Sequence, residues 1–113
     1  MNIFEQPGFQ AGLALGRGGR AVVKLSGFQK FSDEAAPHRD CGPFVAALLD
    51  AFGLDACVGA SDWPFLKATQ RLDHGPLLNG VEAWLPDAGA RRRVLWDTPC
   101  RLIGFDPAPA LQP

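Results

Sequence analysis

The sequence predicts an α/β fold organised on a pair of parallel strands, and three observations predict it. Two short apolar runs, Ala21 to Gly27 and Ala56 to Ser61, lack the polar alternation of a half-solvated strand. Each ends on small residues, Ser26-Gly27 in the first and Ala60-Ser61 in the second. Between them, Phe44, Val45, Leu48, Leu49 and Phe52 recur at helical spacing. Buried parallel strands read as continuous hydrophobic runs, and a strand, helix, strand order implies parallel pairing with a right-handed crossover.

Taken in order, residues Met1 to Gly8 read as irregular, because Pro7-Gly8 is a turn signal. Phe9 to Leu15 is expected to be a short helix closed by Gly16-Arg17-Gly18-Gly19. The first strand, Ala21 to Gly27, is β-branched at its centre. Phe28 to Gly42 is then a polar loop carrying Gln29, Lys30, Asp33, Glu34, His38, Arg39 and Asp40. It is longer than most connections, which suits an active-site loop. Pro43 opens the next helix at a favoured position, with Asp40 or Gly42 near the cap, and Gly53 ends it. After the second strand, Pro76 starts a helix with Leu77, Leu78, Val81, Trp84 and Leu85 on one stripe, and Pro86 closes it. Asp87 to Trp96 forms a third helical segment with Arg91-Arg92-Arg93 on its solvated side, and Asp97-Thr98-Pro99 caps a last short helix through Ile103. We expect one unit over residues 1–106 and a loose Pro-rich tail over Pro107 to Pro113.

Composition narrows the function. The chain has 113 residues, 47% of them hydrophobic, enough for one domain with a modest core. Eleven Lys and Arg against 12 Asp and Glu leave a formal charge of −1, so neither a nucleic-acid partner nor an anionic membrane surface is indicated. Cys41, Cys57 and Cys100 are odd in number and lack CxxC spacing, and they read as reduced thiols in a cytoplasmic protein. The first residues carry no basic-then-apolar pattern, so no leader is expected, and no apolar run in the sequence is long enough to span a bilayer.

Chemistry converges on the mouth of the second strand. Asp62 follows the small residues Gly59, Ala60 and Ser61 and stands before Trp63-Pro64, which forces the chain out of the strand. In parallel α/β folds ligands bind at that end of the strands. The alternative for Asp62 is a turn residue bonded to its own backbone. His38 and His74 have neither HxH nor HExxH spacing and read as surface loop or cap residues. No GxSxG surrounds any serine, and the glycines at 16, 18 and 19 precede a strand where a phosphate cradle would follow one.

The same residues carry a resemblance. Val22-Val23-Lys24-Leu25-Ser26-Gly27, Ala60-Ser61-Asp62-Trp63-Pro64, Leu85-Pro86-Asp87 and the run from Arg91 to Phe105 resemble the last third of amidohydrolase-related (amidohydrolase 2) proteins. These are TIM-barrel hydrolases that include the 2-pyrone-4,6-dicarboxylate lactonases. The likeness runs from about residue 9 to residue 106. It implies a partial (β/α)8 barrel: Ala21 to Ser26 as strand seven, Ala56 to Ser61 as strand eight, Phe9 to Leu15 as helix six, and further helices at the C-terminus. Asp62 then matches the family's acid at the end of strand eight, a general base for the attacking water and, in metal-dependent members, a metal ligand. The family's HxH and the histidines of strands five and six have no counterpart here, and a complete barrel needs roughly 250 residues.

The resemblance implies a hydrolase fragment: water attacks a lactone, ester or amide carbonyl of a small acidic substrate, and Asp62 takes the proton. Ser26, Gln29, Lys30 and Trp63 would contact that substrate, Lys30 through its charge. The chain alone is expected to be inactive and to hold no cofactor, whereas a complete barrel would take one divalent metal, zinc or manganese, with Asp62 as a ligand. A second reading is a non-catalytic partial barrel that self-associates or complements another chain, and a third is a small binding protein unrelated to hydrolysis. The two strands have one partner each in this sequence, and the face carrying Val23, Leu25 and Val58 or their strand neighbours is expected to lack cover. Such a chain should be oligomeric, aggregation-prone or only partly folded.

Overall fold

The computed structural model describes residues 6–28, 32–34, 38–61 and 74–105. Helix α1 (Pro7–Arg17) begins at Pro7, so Pro7-Gly8 opens a helix where a turn was expected. The missing N–H of proline costs nothing in the first helical turn, because that donor has no intrahelical partner there. Phe9 of α1 meets Phe44 edge-on at 5.7 Å between ring centroids, at the start of the next long helix. Gly16 lies so close to Phe52 that a Cβ there would fall 2.5 Å from the ring, so this glycine permits the two helices to approach.

Strands β1 (Val23–Leu25) and β2 (Cys57–Gly59) pair in parallel, with Val23 opposite Cys57, Lys24 opposite Val58 and Leu25 opposite Gly59. Both are shorter than the apolar runs that contain them. Ala56 belongs to a 3₁₀ turn, Leu54–Ala56, and Val22 remains 47% exposed. The pair's two faces differ in cover. Leu25 and Cys57 are buried and Val23 packs against them beneath the helices, whereas Lys24 is exposed on the opposite side. The face expected to lack cover is therefore that of Lys24 and Val58, and the expectation for Val23 and Leu25 is corrected. Side chains alternate across a strand, and the register sets which set meets the helices.

Helix α2 (Gly42–Phe52) connects the strands. Its N-cap is Cys41, which makes no side-chain cap bond, and Gly53 with φ 80° ends it. Asp40, expected near that cap, bonds elsewhere. Val45 of α2 is buried with Leu25, Cys57, Leu85 and Val94 in one cluster, and Leu48, Leu49 and Phe52 pack on it.

Helix α3 (His74–Trp84) starts two residues before Pro76, so His74 opens a helix. Val81 and Trp84 pack on the core while Leu78 stays 44% exposed, so the expected stripe is covered only toward its end. The side chain of Leu77 lies outside the described residues. Helix α4 (Ala88–Arg92) is capped by Asp87, whose carboxylate accepts from the Ala90 N–H at 2.8 Å. A π-helical turn, Arg93–Asp97, joins it to α5 (Thr98–Ile103). Pro99 explains the wide turn, since its ring clashes with the i−4 carbonyl of a regular helix and it lacks the N–H. Thr98 does not cap α5: its hydroxyl donates to the Leu54 carbonyl at 3.0 Å and is buried there.

The arginine triplet is not uniformly solvated. Arg91 donates to the Leu85 and Pro86 carbonyls at 2.9 and 3.1 Å, and Arg93 pairs with Asp55 at 2.7 Å. Arg92, exposed, lies 3.5 Å from Asp97, a pair that contributes little. No described helix is long and apolar enough to cross a membrane. The expected tail, residues 107–113, lies outside the described residues.

All three cysteines are free and buried. Burial pushes the Cys57 thiol up to about 11 and also raises that of Cys41, where the Asp40 carboxylate adds to the effect. The thiolate is the reactive form. At pH 8 iodoacetamide should therefore leave Cys57 unmodified in the native chain for a time that suffices to label all three cysteines in urea, read by peptide mass mapping. Labelling of Cys57 at the denatured rate would show that β2 is not packed against the helices.

Candidate active site

The described residues line a small cleft at the C-terminal ends of both strands, partly open to solvent. Ser26, Gly27 and Phe28 leave β1 along one wall, and Ala60 and Ser61 leave β2 along another. Gly27 turns the chain with φ 77°, a left-handed conformation that glycine adopts without steric cost. Val81 and Trp84 of α3 close the apolar side, with the Trp84 indole edge-on to Phe28 at 5.1 Å and 71°. This placement follows from β2 running apolar up to Gly59 and then narrowing to small residues, which leaves space where a larger side chain would fill it.

His38 forms the remaining wall, with only 7% of its surface exposed. Its backbone is left-handed, φ 55° and ψ 53°, and among the described residues it is the one non-glycine residue with positive φ. Its Nδ1 lies 2.8 Å from the Glu34 carbonyl. A carbonyl only accepts, so Nδ1 carries a proton, and in the singly protonated ring the lone pair is on Nε2. That Nε2 is buried and has no hydrogen-bond partner among the described residues.

The loop that presents His38 is braced by polar contacts. Ser32 donates its hydroxyl to Asp40, the Asp33 N–H reaches the same carboxylate at 2.8 Å, and the Asp40 N–H reaches the Glu34 carboxylate at 3.0 Å. The Ser32 hydroxyl, followed by the Asp33 N–H, holds the Asp40 carboxyl below the ordinary carboxylate range. Asp40 is thus the clamp of this loop and not a helix cap.

Of the residues singled out in the sequence, Ser26 lines the cleft, and Ser61, immediately before Asp62 in the chain, lines it too. Asp62, Trp63, Gln29 and Lys30 lie outside the described residues. His38, read from sequence as a surface loop or cap residue, does stand at the N-cap position of the 3₁₀ turn Arg39–Cys41, but it is buried as a wall residue and the surface reading is corrected. Its signal was slight, a lone histidine two positions before the loop's Asp40, and nothing local announces its burial. No group of three or more His, Cys, Asp or Glu that could hold a metal occurs among the described residues, and a catalytic zinc usually wants three protein ligands. The described residues therefore do not by themselves fit a metal.

Known proteins share this sequence and shape. The chain is 35% identical over 85 residues to a 4-sulfomuconolactone hydrolase of Rhizobium radiobacter, a match covering 73% of this chain and 28% of that protein. With a 4-sulfomuconolactone hydrolase of Hydrogenophaga intermedia it shares 30% identity over 103 residues, covering 88% of this chain and 34% of that one. It thus spans about a third or less of these relatives' length. A crystal structure from Pseudomonas putida, provisionally named a 2-pyrone-4,6-dicarboxylic acid hydrolase, superposes with a TM-score of 0.77 at 27% identity, over 93% of this chain and 39% of that one. An Agrobacterium tumefaciens structure gives a TM-score of 0.72 at 26% identity, over 92% of this chain and 37% of the other. The amidohydrolase family model matches residues 4–105, nearly the whole chain, strand ends and cleft included: this chain belongs to the amidohydrolase family.

Proposed function

We propose that the chain supplies the last two βα units of a (β/α)8 lactone hydrolase. In this reading Asp62 takes a proton from the water that attacks the lactone carbonyl, and the ring opens to a carboxylic acid and a hydroxyl. Ser26, Gln29, Lys30 and Trp63 contact the substrate, with the Lys30 ammonium facing an acidic substituent. The observation that carries the reading is the cleft at the C-terminal ends of two parallel strands, with Ser61 on its wall directly before Asp62 in sequence. Relatives bearing the name 4-sulfomuconolactone hydrolase support a lactone as the substrate class. A zinc or manganese ion is part of what the family resemblance implies, but no step proposed for this chain runs through it. Three free, buried thiols support a cytoplasmic location.

A second reading, association without catalysis, is favoured by one observation. Among the described residues each strand has a single partner, and Lys24 is exposed on the face away from the helices. Unpaired strand edges tend to recruit other chains.

The test is to add a separate polypeptide carrying the first six βα units of a relative. Ring opening of 4-sulfomuconolactone and light scattering are then followed together. We expect the chain alone to be inactive and larger than a monomer, and the mixture to form a defined complex that opens the lactone. A defined complex without ring opening would leave the association reading and remove the hydrolase one. A stable, dilute monomer of the chain alone would remove the association reading.

A further inference from the structure

We infer that His38 is a substrate-contacting residue of the cleft, its Nε2 accepting a hydrogen bond from the hydroxyl of a small hydroxy acid. The inference deepens the lactone-hydrolase reading and rests on it for the ligand, since opening a lactone ring yields a hydroxyl and a carboxylate on one small molecule. The contact itself rests on the structure. The Glu34 carbonyl at 2.8 Å holds a proton on Nδ1, so in the singly protonated ring Nε2 carries the lone pair and accepts.

Three further features single out this nitrogen. It is buried and unpartnered among the described residues, where buried polar atoms are ordinarily paired. The ring lines the cleft at the strand ends, beside Ser26 and Ser61. The residue is held in a left-handed backbone, the kind of strain that gathers at ligand sites, and Asp40 keeps it there by clamping Ser32 and Asp33. A histidine serving only to brace the loop would use Nδ1 and could leave Nε2 in water. This one keeps Nε2 out of solvent, in a ring that lines the cleft.

Asparagine separates the two roles. Its side-chain N–H₂ can replace Nδ1–H toward the Glu34 carbonyl and it tolerates left-handed φ, so His38→Asn retains the brace and deletes Nε2. The probes are 4-hydroxybutyrate and butyrate, which differ by one hydroxyl, titrated into the full chain labelled with ¹⁵N at histidine. We expect the His38 Nε2 resonance to move with 4-hydroxybutyrate and not with butyrate. The hydroxy acid should bind about 3–10-fold more tightly, the range of one net hydrogen bond. In His38→Asn the preference should vanish while the affinity for butyrate, which makes no use of the hydroxyl contact, stays unchanged. Equal affinity for both probes, no binding of either, or a preference that persists in His38→Asn would overturn the inference. Because the readout is binding and not turnover, a hydroxyl preference in a chain whose assembled barrel opens no lactone would sink the hydrolase reading and leave the His38 contact standing.

Discussion

Replacing Asp62 with asparagine is expected to lower lactone turnover by the assembled barrel about 10²–10⁴-fold, the contribution of one positioned proton acceptor. The substitution keeps the shape of the side chain and removes its basicity, so assembly and substrate binding should change little. The loss should thus fall on kcat and not on KM. Ser61 already lines the cleft and Asp62 is the next residue in the chain, after a strand that ends on small residues. Steady-state kinetics of the two assembled proteins, with light scattering to show equal complex formation, make the comparison. Near-normal turnover by the asparagine variant would reduce Asp62 to the turn residue that its position before Trp63-Pro64 also allows.

The second large effect is on stability. Leu25 is 3% exposed and sits in the cluster formed by Val45, Cys57, Leu85 and Val94. Leu25→Ala removes most of a buried side chain and leaves a cavity, which should destabilise the fold by about 2–5 kcal/mol. Its neighbour Lys24 is exposed on the opposite face, and Lys24→Ala should cost less than about 0.5 kcal/mol. Urea titrations followed by tryptophan fluorescence would measure both. With a marginally stable native state, the Leu25 change alone could unfold most of the chain at room temperature. A larger cost at Lys24 than at Leu25 would mean that the strand faces the helices with the other set of side chains.

Much of the architecture was legible because local rules carry it. Two apolar runs without alternation, separated by a helix-period segment, admit few arrangements other than a parallel pair. The structure has that pair, with α2 ending where Gly53 ends it. Asp87 caps α4 as a residue of its type does, and the place of Asp62 beyond a strand mouth is a matter of chain order. The family likeness lay in the same stretches, and the match over residues 4–105 covers them.

What local rules do not contain is the identity of partners far along the chain. Strand length depends on which residues of both runs come into bonding distance, and only three pairs do. Thr98 resembles a cap until the Leu54 carbonyl, 44 residues away, takes its hydroxyl. Arg93 looks like a solvated charge until Asp55 is beside it. Pro99 reads as a helix start, whereas the packed rod continues through it by widening one turn. His38 is the largest such difference. Its sequence neighbourhood is polar and reads as surface, yet the Asp40 clamp and the walls of the strand-end cleft bury it with one nitrogen unpartnered among the described residues. The sequence alone thus determined the order of elements and the strand mouths where chemistry gathers, because propensity, chain stiffness and hydrophobic period act over a few residues. Only the tertiary structure decided which side chains face those mouths, because burial and hydrogen-bond partnership are set by residues that folding brings together from distant parts of the chain.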